Sequence, residues 1–169
     1  MDKKWTSGNE LKYLKEVLSN ETKSTPFTDR LEKAFCKAYG VKYAIAMNSA
    51  TSAIHTALHV LGIKEGDEVI TTPYSVIMDA SIPVYMGAKP VFADIEYDTH
   101  NIDPKSIEKK ISSKTKAIIA VHLAGWPCDM DPILDFAEKH NLYIIEDAAE
   151  AHDRPELPFV QDQYGYQYA

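Results

Sequence analysis

The chain opens on helical periodicity. Leu11, Leu14, Val17 and Leu18 recur three and four apart behind Asn9, predicting an amphipathic helix over 9–19 with Asn9 as its cap. Ser24-Thr25-Pro26 breaks that pattern. Leu31, Ala34, Phe35 and Ala38 then line one face of a second helix, with Thr28 as the expected N-cap and Gly40 as the left-handed stop. From Tyr43 the rhythm changes. Short apolar runs recur at Tyr43–Met47, Glu68–Thr71, Pro90–Asp94, Ala117–Val121 and Leu142–Glu146, and helical patterns at 50–61, 76–86, 104–111 and 130–139 separate most of them. Several of the runs are apolar at successive positions, as strands buried on both faces require. Strand alternating with helix predicts an α/β fold: a mostly parallel sheet between two helical layers, αβα. Turn chemistry agrees, with Lys64-Glu65-Gly66-Asp67 and Gly87-Ala88-Lys89-Pro90 closing two helices, and Asp103-Pro104 opening a third through a cap and an N1 proline.

Composition narrows the function. The 169 residues are 45% hydrophobic and 25% charged, with a net charge of -7. That balance, without any basic stripe, argues against a nucleic-acid surface. Phosphorylated small molecules remain open, because helix N-termini bind them without net positive charge. The two cysteines, Cys36 and Cys128, have no metal-like or CxxC spacing and read as reduced structural thiols, so no metal site is expected. The first residues lack the apolar run of a signal peptide and no stretch reaches transmembrane length, so a cytoplasmic, non-membrane protein is the expectation.

Two stretches carry the candidate chemistry. In Ala44-Ile45-Ala46-Met47-Asn48-Ser49-Ala50-Thr51-Ser52-Ala53 an apolar run breaks into small and hydroxyl residues and passes straight into a helical pattern. That geometry aims first-turn N–H groups at a ligand and suits a phosphate. Asn48, Ser49 and Thr51 are equally ordinary capping residues. The second stretch, Ile144-Ile145-Glu146-Asp147-Ala148-Ala149-Glu150-Ala151-His152, ends an apolar strand on an acidic pair. A carboxylate buried there needs a partner. Asp147 either caps the next helix or pairs with a lysine, or it holds the cationic ring nitrogen of a cofactor such as pyridoxal phosphate. A third segment at a strand's carboxyl end, Thr71-Thr72-Pro73-Tyr74-Ser75-Val76, lies where ligands gather in open α/β sheets. A Rossmann dinucleotide site is disfavoured, since no G-x-G-x-x-G follows the first strand.

With these motifs in place, the chain closely resembles the DegT/DnrJ/EryC1/StrS family of pyridoxal-phosphate aminotransferases, which typically act on nucleotide-linked keto sugars. The resemblance rests on Asn48-Ser49-Ala50-Thr51-Ser52-Ala53-Ile54-His55, on Gly66-Asp67-Glu68-Val69-Ile70-Thr71-Thr72-Pro73 and on Gly87-Ala88-Lys89-Pro90-Val91-Phe92-Ala93-Asp94-Ile95. It continues through Asn101-Ile102-Asp103-Pro104, Val121-His122-Leu123-Ala124-Gly125 with Asp129-Met130-Asp131, and Ile145-Glu146-Asp147-Ala148-Ala149. It implies part of the large domain of a fold-type-I transferase, over 41–152, behind an N-terminal helical segment, 1–40. By resemblance Ser49, Ala50 and Thr51 match the turn that holds the cofactor phosphate, and Asp147 matches the acid on the pyridine nitrogen. Val76 falls where the family usually stacks an aromatic ring. Glu150 falls where it more often has a glutamine near the phenolic oxygen, and a second carboxylate there is expected to raise the negative charge beside Asp147. His55 and His122 lie in motif positions to which no role is assigned, and both read at least as well as structural histidines. A glutamate-type amino donor, a keto-sugar nucleotide acceptor and a homodimer are further implications of the resemblance.

The pattern departs from the family after His152. Residues 153–169 resemble nothing in the corresponding region, contain no lysine, and read as a divergent, poorly ordered tail. The family's Schiff-base lysine has no counterpart here, and Lys89 and Lys116 belong by their motifs to strand edges. The expectation is a chain inactive by itself; the alternative is a non-catalytic relative that binds a phosphorylated ligand or a full-length partner.

Overall fold

The computed structural model describes residues 8–19 and 26–151. They fall into two compact units, Met1–Ala46 and Met47–Ala169. The expected tail over 153–169 and the break at Ser24-Thr25 lie outside the described residues.

The first unit holds α1 (Glu10–Leu18) and α2 (Pro26–Tyr39). Helix α2 begins at Pro26 rather than behind a Thr28 cap, because proline's fixed φ and missing N–H suit the first helical turn. It closes at Gly40 with φ +67°, as the sequence predicts. Arg30 ties the pair together: its guanidinium lies 4.7 Å from the Phe27 ring centroid and 5.2 Å from that of Tyr13, and it meets Glu16 at 2.9 Å. The expected strand over 43–47 does not form. Its residues pair with no strand among those described, Tyr43 and Ile45 are exposed, and the Ala46 N–H donates to Glu32 Oε1 at 2.9 Å in place of a neighbouring carbonyl. Apolar alternation alone cannot make a strand without a partner to take its N–H and C=O groups.

The second unit alternates helix and strand: α3 (Ala50–Val60), β1 (Glu68–Thr71), α4 (Met78–Tyr85), β2 (Lys89–Phe92), α5 (Pro104–Lys110), β3 (Thr115–Val121), α6 (Met130–His140) and β4 (Tyr143–Asp147). The four strands form one all-parallel sheet in the order β2-β1-β3-β4. The period of two along each strand builds a separate core on each face. Ile70, Ile118, Ala120 and Ile144 pack with Ile107 of α5 and Ile133 of α6. Val69, Ala117, Ile119, Val121 and Ile145 pack with Ile54 and Leu58 of α3 and Ile82 of α4. This is the expected αβα sandwich. It also explains why β1, β3 and β4 read as unbroken apolar runs.

From β1 the chain steps through α4 to β2 on one side; from β3 it steps through α6 to β4 on the other. The two directions diverge between β1 and β3. In such sheets the carboxyl ends at that switch point form the ligand crevice.

Candidate active site

Helix α3 starts where the small-residue turn predicts. Ser49 is its N-cap in extended conformation, and its Oγ accepts the Ser52 N–H at 3.2 Å and lies 3.1 Å from Ser52 Oγ. The capping reading of this turn therefore holds. It leaves the N–H groups of Ala50 and Thr51 in the first turn, where a helix has no internal acceptor for them. Thr51 turns its hydroxyl to Met78 Sδ, which sets the first turn of α3 beside the first turn of α4.

Asp147 closes β4. The strand's alternation, Ile144 to one core and Ile145 to the other, puts Glu146 on the α5/α6 face and Asp147 on the α3/α4 face. Asp147 is 7% exposed and its Oδ1 accepts the Ala149 N–H at 3.1 Å. No cation pairs with it among the described residues, which removes the lysine-pairing reading. The neighbour it does have is an acid. Asp79, in the first turn of α4, is 1% exposed and its Oδ2 accepts the Ser75 O–H at 2.5 Å, while its Oδ1 is buried with no donor. Burial, with the Asp147 carboxylate adding to it against the opposing Ser75 hydrogen bond, pushes the Asp79 carboxyl up from 3.8 to about 6.

Sequence reasoning placed the second carboxyl beside Asp147 at Glu150. The structure gives that place to Asp79. Glu150 is exposed and its Oε2 accepts the Ala124 N–H at 2.6 Å, across the turn after β3. In the sequence Asp79 stands only as a lone acid in the apolar run Val76-Ile77-Met78-Asp79-Ala80, which does not place it beside Asp147. Val76 lies in the loop before α4, 58% exposed. Thus Thr51, Met78, Asp79 and Asp147 link the α3 turn, the start of α4 and the end of β4 into one site, with Val76 two residues before Met78.

On the opposite face, Glu146 meets His122. His122 Nε2 and Glu146 Oε2 are 2.8 Å apart, and the Cys128 N–H donates to His122 Nδ1 at 3.0 Å. Asn101 fixes the same turn, donating to the Trp126 carbonyl at 2.9 Å and accepting the Leu123 N–H at 3.1 Å. His122 thus ties the turn after β3 to the end of β4. His55 is a packing residue, edge-on to Tyr85 at 5.4 Å. Lys89 opens β2 and pairs with Glu68 at 3.3 Å, at the amino-terminal end of the sheet and away from the site.

The donor set suits pyridoxal phosphate. Two buried carboxyls with an undonated oxygen and no cation call for a cationic N–H group, and a first helical turn capped by a serine suits the phosphate. Architecture and site define a large-domain fold of fold-type-I transferases. The chain belongs to the DegT/DnrJ/EryC1/StrS aminotransferase family, whose pattern it matches over residues 5–155. It is 47% identical over 146 residues to the GDP-perosamine synthase of Caulobacter vibrioides, a match covering 85% of this chain and 39% of that one. Among solved structures it superposes on an aminotransferase from Psychrobacter cryohalolentis with a TM-score of 0.82 and 45% identity, covering 88% of this chain and 38% of the other. NtdA from Bacillus subtilis, solved with bound PMP, gives a TM-score of 0.77 at 37% identity over 82% of this chain and 32% of its own. The chain spans about two fifths of the length of these proteins, or less.

Proposed function

We propose that this chain supplies the cofactor half of a sugar aminotransferase, a pyridoxal-phosphate enzyme that moves an amino group from a glutamate-type donor to a nucleotide-linked keto sugar. The observation that carries the proposal is Asp147: a carboxylate at a strand's carboxyl end, buried without a cation, on the same face of the sheet as the capped first turn of α3. When bound, the cofactor supplies a protonated pyridine ring that takes up the electron pair released as a proton leaves the amino-bearing carbon. The chain's own residues do the rest. Asp147 holds the proton on the ring nitrogen. The N–H groups of Ala50 and Thr51 with the Ser49 hydroxyl bind the phosphate. Val76 gives one ring face an apolar cover smaller than an aromatic would. Glu150, fixed by the Ala124 N–H, would offer its carboxylate to the phenolic oxygen.

Among the described residues no lysine pairs with Asp147 or Asp79, so in this reading these residues hold the cofactor without a covalent bond. Exposed apolar side chains on the outer layer, Val60 of α3 with Val84 and Tyr85 of α4, support a homodimer. No helix among the described residues is long and apolar enough to cross a membrane, and a cytoplasmic site of action is part of the proposal.

The test is a titration with pyridoxal 5′-phosphate followed by fluorescence, with borohydride reduction afterwards. Saturable one-to-one binding is expected, weakened about 10- to 100-fold in Asp147→Asn, the size of a lost charge-assisted hydrogen bond. Scattered lysine labelling without saturation, or an Asp147→Asn variant that binds like the parent, would sink the reading.

A further inference from the structure

Buried carboxyls in proteins are paired with cations, bound to metals or protonated. Asp79 meets neither of the first two conditions. No cation pairs with it, and no group of three His, Cys, Asp or Glu among the described residues could hold a metal ion. One of its oxygens accepts the Ser75 hydroxyl; the other is buried and receives no N–H or O–H donor. It stands beside Asp147, whose own Oδ1 is already engaged by the Ala149 N–H.

We propose that Asp79 is a positioning residue for Asp147: it carries one proton on its otherwise undonated oxygen and gives that hydrogen bond to the Asp147 carboxylate, fixing the carboxylate plane against the ring nitrogen. This rests on the cofactor reading given above. The proton balance is simple. The ring nitrogen keeps its own proton, Asp79 keeps a second, and Asp147 remains the single carboxylate, accepting from Ala149 N–H, from Asp79 and from the ring. Were Asp79 ionised, two like charges would face each other in a dry site and Asp147 would rotate away.

The groups around Asp79 leave this pairing undisturbed. Helix α4 packs against α3, β1 and β2. On α3, His55 lies edge-on to Tyr85 near the far end of α4, and His59 is exposed. On β1 and β2, Glu68 is bound to Ser112 at 2.6 Å and to Lys89, at the amino-terminal end of the sheet. Among the described residues, Asp147 acts on Asp79 by charge and the Ser75 hydrogen bond opposes it. Ser75 therefore sets where the proton leaves.

Two measurements on the full 169-residue chain decide the matter. Infrared titration of the cofactor-free protein reads the shared proton. A protonated-carboxyl band is expected to persist in the parent above pH 5, titrate away near pH 6, vanish in Asp79→Asn, and titrate at higher pH in Ser75→Ala. Affinity for pyridoxamine 5′-phosphate at pH 5, where Asp79 keeps its proton, reads the positioning and needs no lysine. Asp79→Ala is expected to bind about tenfold more weakly, the size of one lost charge-assisted hydrogen bond. Asp79→Asn, whose amide still donates to Asp147, is expected to stay within about threefold of the parent, as a conservative donor should. A band unchanged in Asp79→Asn overturns the proposal, as does an Asp79→Ala variant with the parent's affinity. If the parent does not bind pyridoxamine 5′-phosphate, or binds it independently of Asp147, the cofactor reading fails and the positioning role falls with it. The infrared titration still shows separately whether the two acids share a proton.

Discussion

His122 and Glu146 form a buried pair in which the imidazole tautomer is set by the backbone. The Cys128 N–H donates to Nδ1, so that nitrogen carries no proton, and Nε2–H donates to Glu146 at 2.8 Å. Replacing His122 by Ala leaves a buried carboxylate and a backbone N–H without partners, and is expected to cost about 3 kcal/mol or more in urea unfolding. Glu146→Gln keeps an acceptor for Nε2–H and is expected to cost about 1 kcal/mol, as for one ordinary hydrogen bond.

Stability should fall as pH rises through the weakly acidic range. Asp79 has an ordinary value of 3.8 when unfolded and about 6 when folded. Below 3.8 both states are protonated and Asp79 contributes nothing. Between 3.8 and 6 the unfolded chain releases a proton that the folded chain retains, so folding becomes progressively less favourable, and above 6 the loss is complete. At about 1.4 kcal/mol per pH unit the total is of order 3 kcal/mol. Thermal melts of Asp79→Asn against the parent between pH 4 and 7 check this: the variant should lack the decline and be the more stable protein at pH 7.

Gly125 has φ +78°, and a Cβ there would stand 2.9 Å from the Glu150 carbonyl oxygen. Both the backbone and the space exclude a side chain. Gly125→Ala is expected to destabilise by about 1–3 kcal/mol and to displace the Glu150 carboxylate from Ala124. Chemical shifts of the Ala124 amide would report the second effect.

The two thiols should differ in reactivity. Cys128 is buried, its Sγ lies 3.1 Å from the Val121 carbonyl, and burial, with the Glu146 charge adding to it, pushes the thiol up to about 12. Cys36 is only partly buried. A disulfide reagent at pH 8 is expected to titrate one thiol in the native protein, Cys36, and two after unfolding. Rapid modification of Cys128 in the native state would contradict the buried geometry.

Much of this fold was legible because its signals are local. Glu68–Thr71 came out to the residue, and Asp103-Pro104 marked the start of α5 through a cap that does accept the Lys105 N–H at 2.9 Å. The run at 43–47 had the same apolar look as β1 but no adjacent strand among the described residues, and pairing is a property of two segments rather than one. Pro83 lies inside α4, where propensity argues against helix; burial of Pro83, with Ile82 packed among the sheet's side chains, overrides it. Of the site, Ser49 and Asp147 were legible from motif and strand end. Asp79 was not, because its meaning depends on α4 folding its first turn over the end of β4, a contact some seventy residues apart in the chain.

Glu146 and Asp147 are successive residues, yet one belongs to the His122 network and the other to the site beside α3 and α4. The sheet therefore insulates the chemistry from the scaffold by the thickness of one strand, and the insulation is a matter of parity. Deleting one residue upstream within β4 would turn both acids to the opposite face: Asp147 would land under His122, Glu146 would face the α3/α4 core one pleat earlier, and Ala148 would take the place of Asp147 in the pocket. Such a shortened chain would keep every side chain of the site and lose its address.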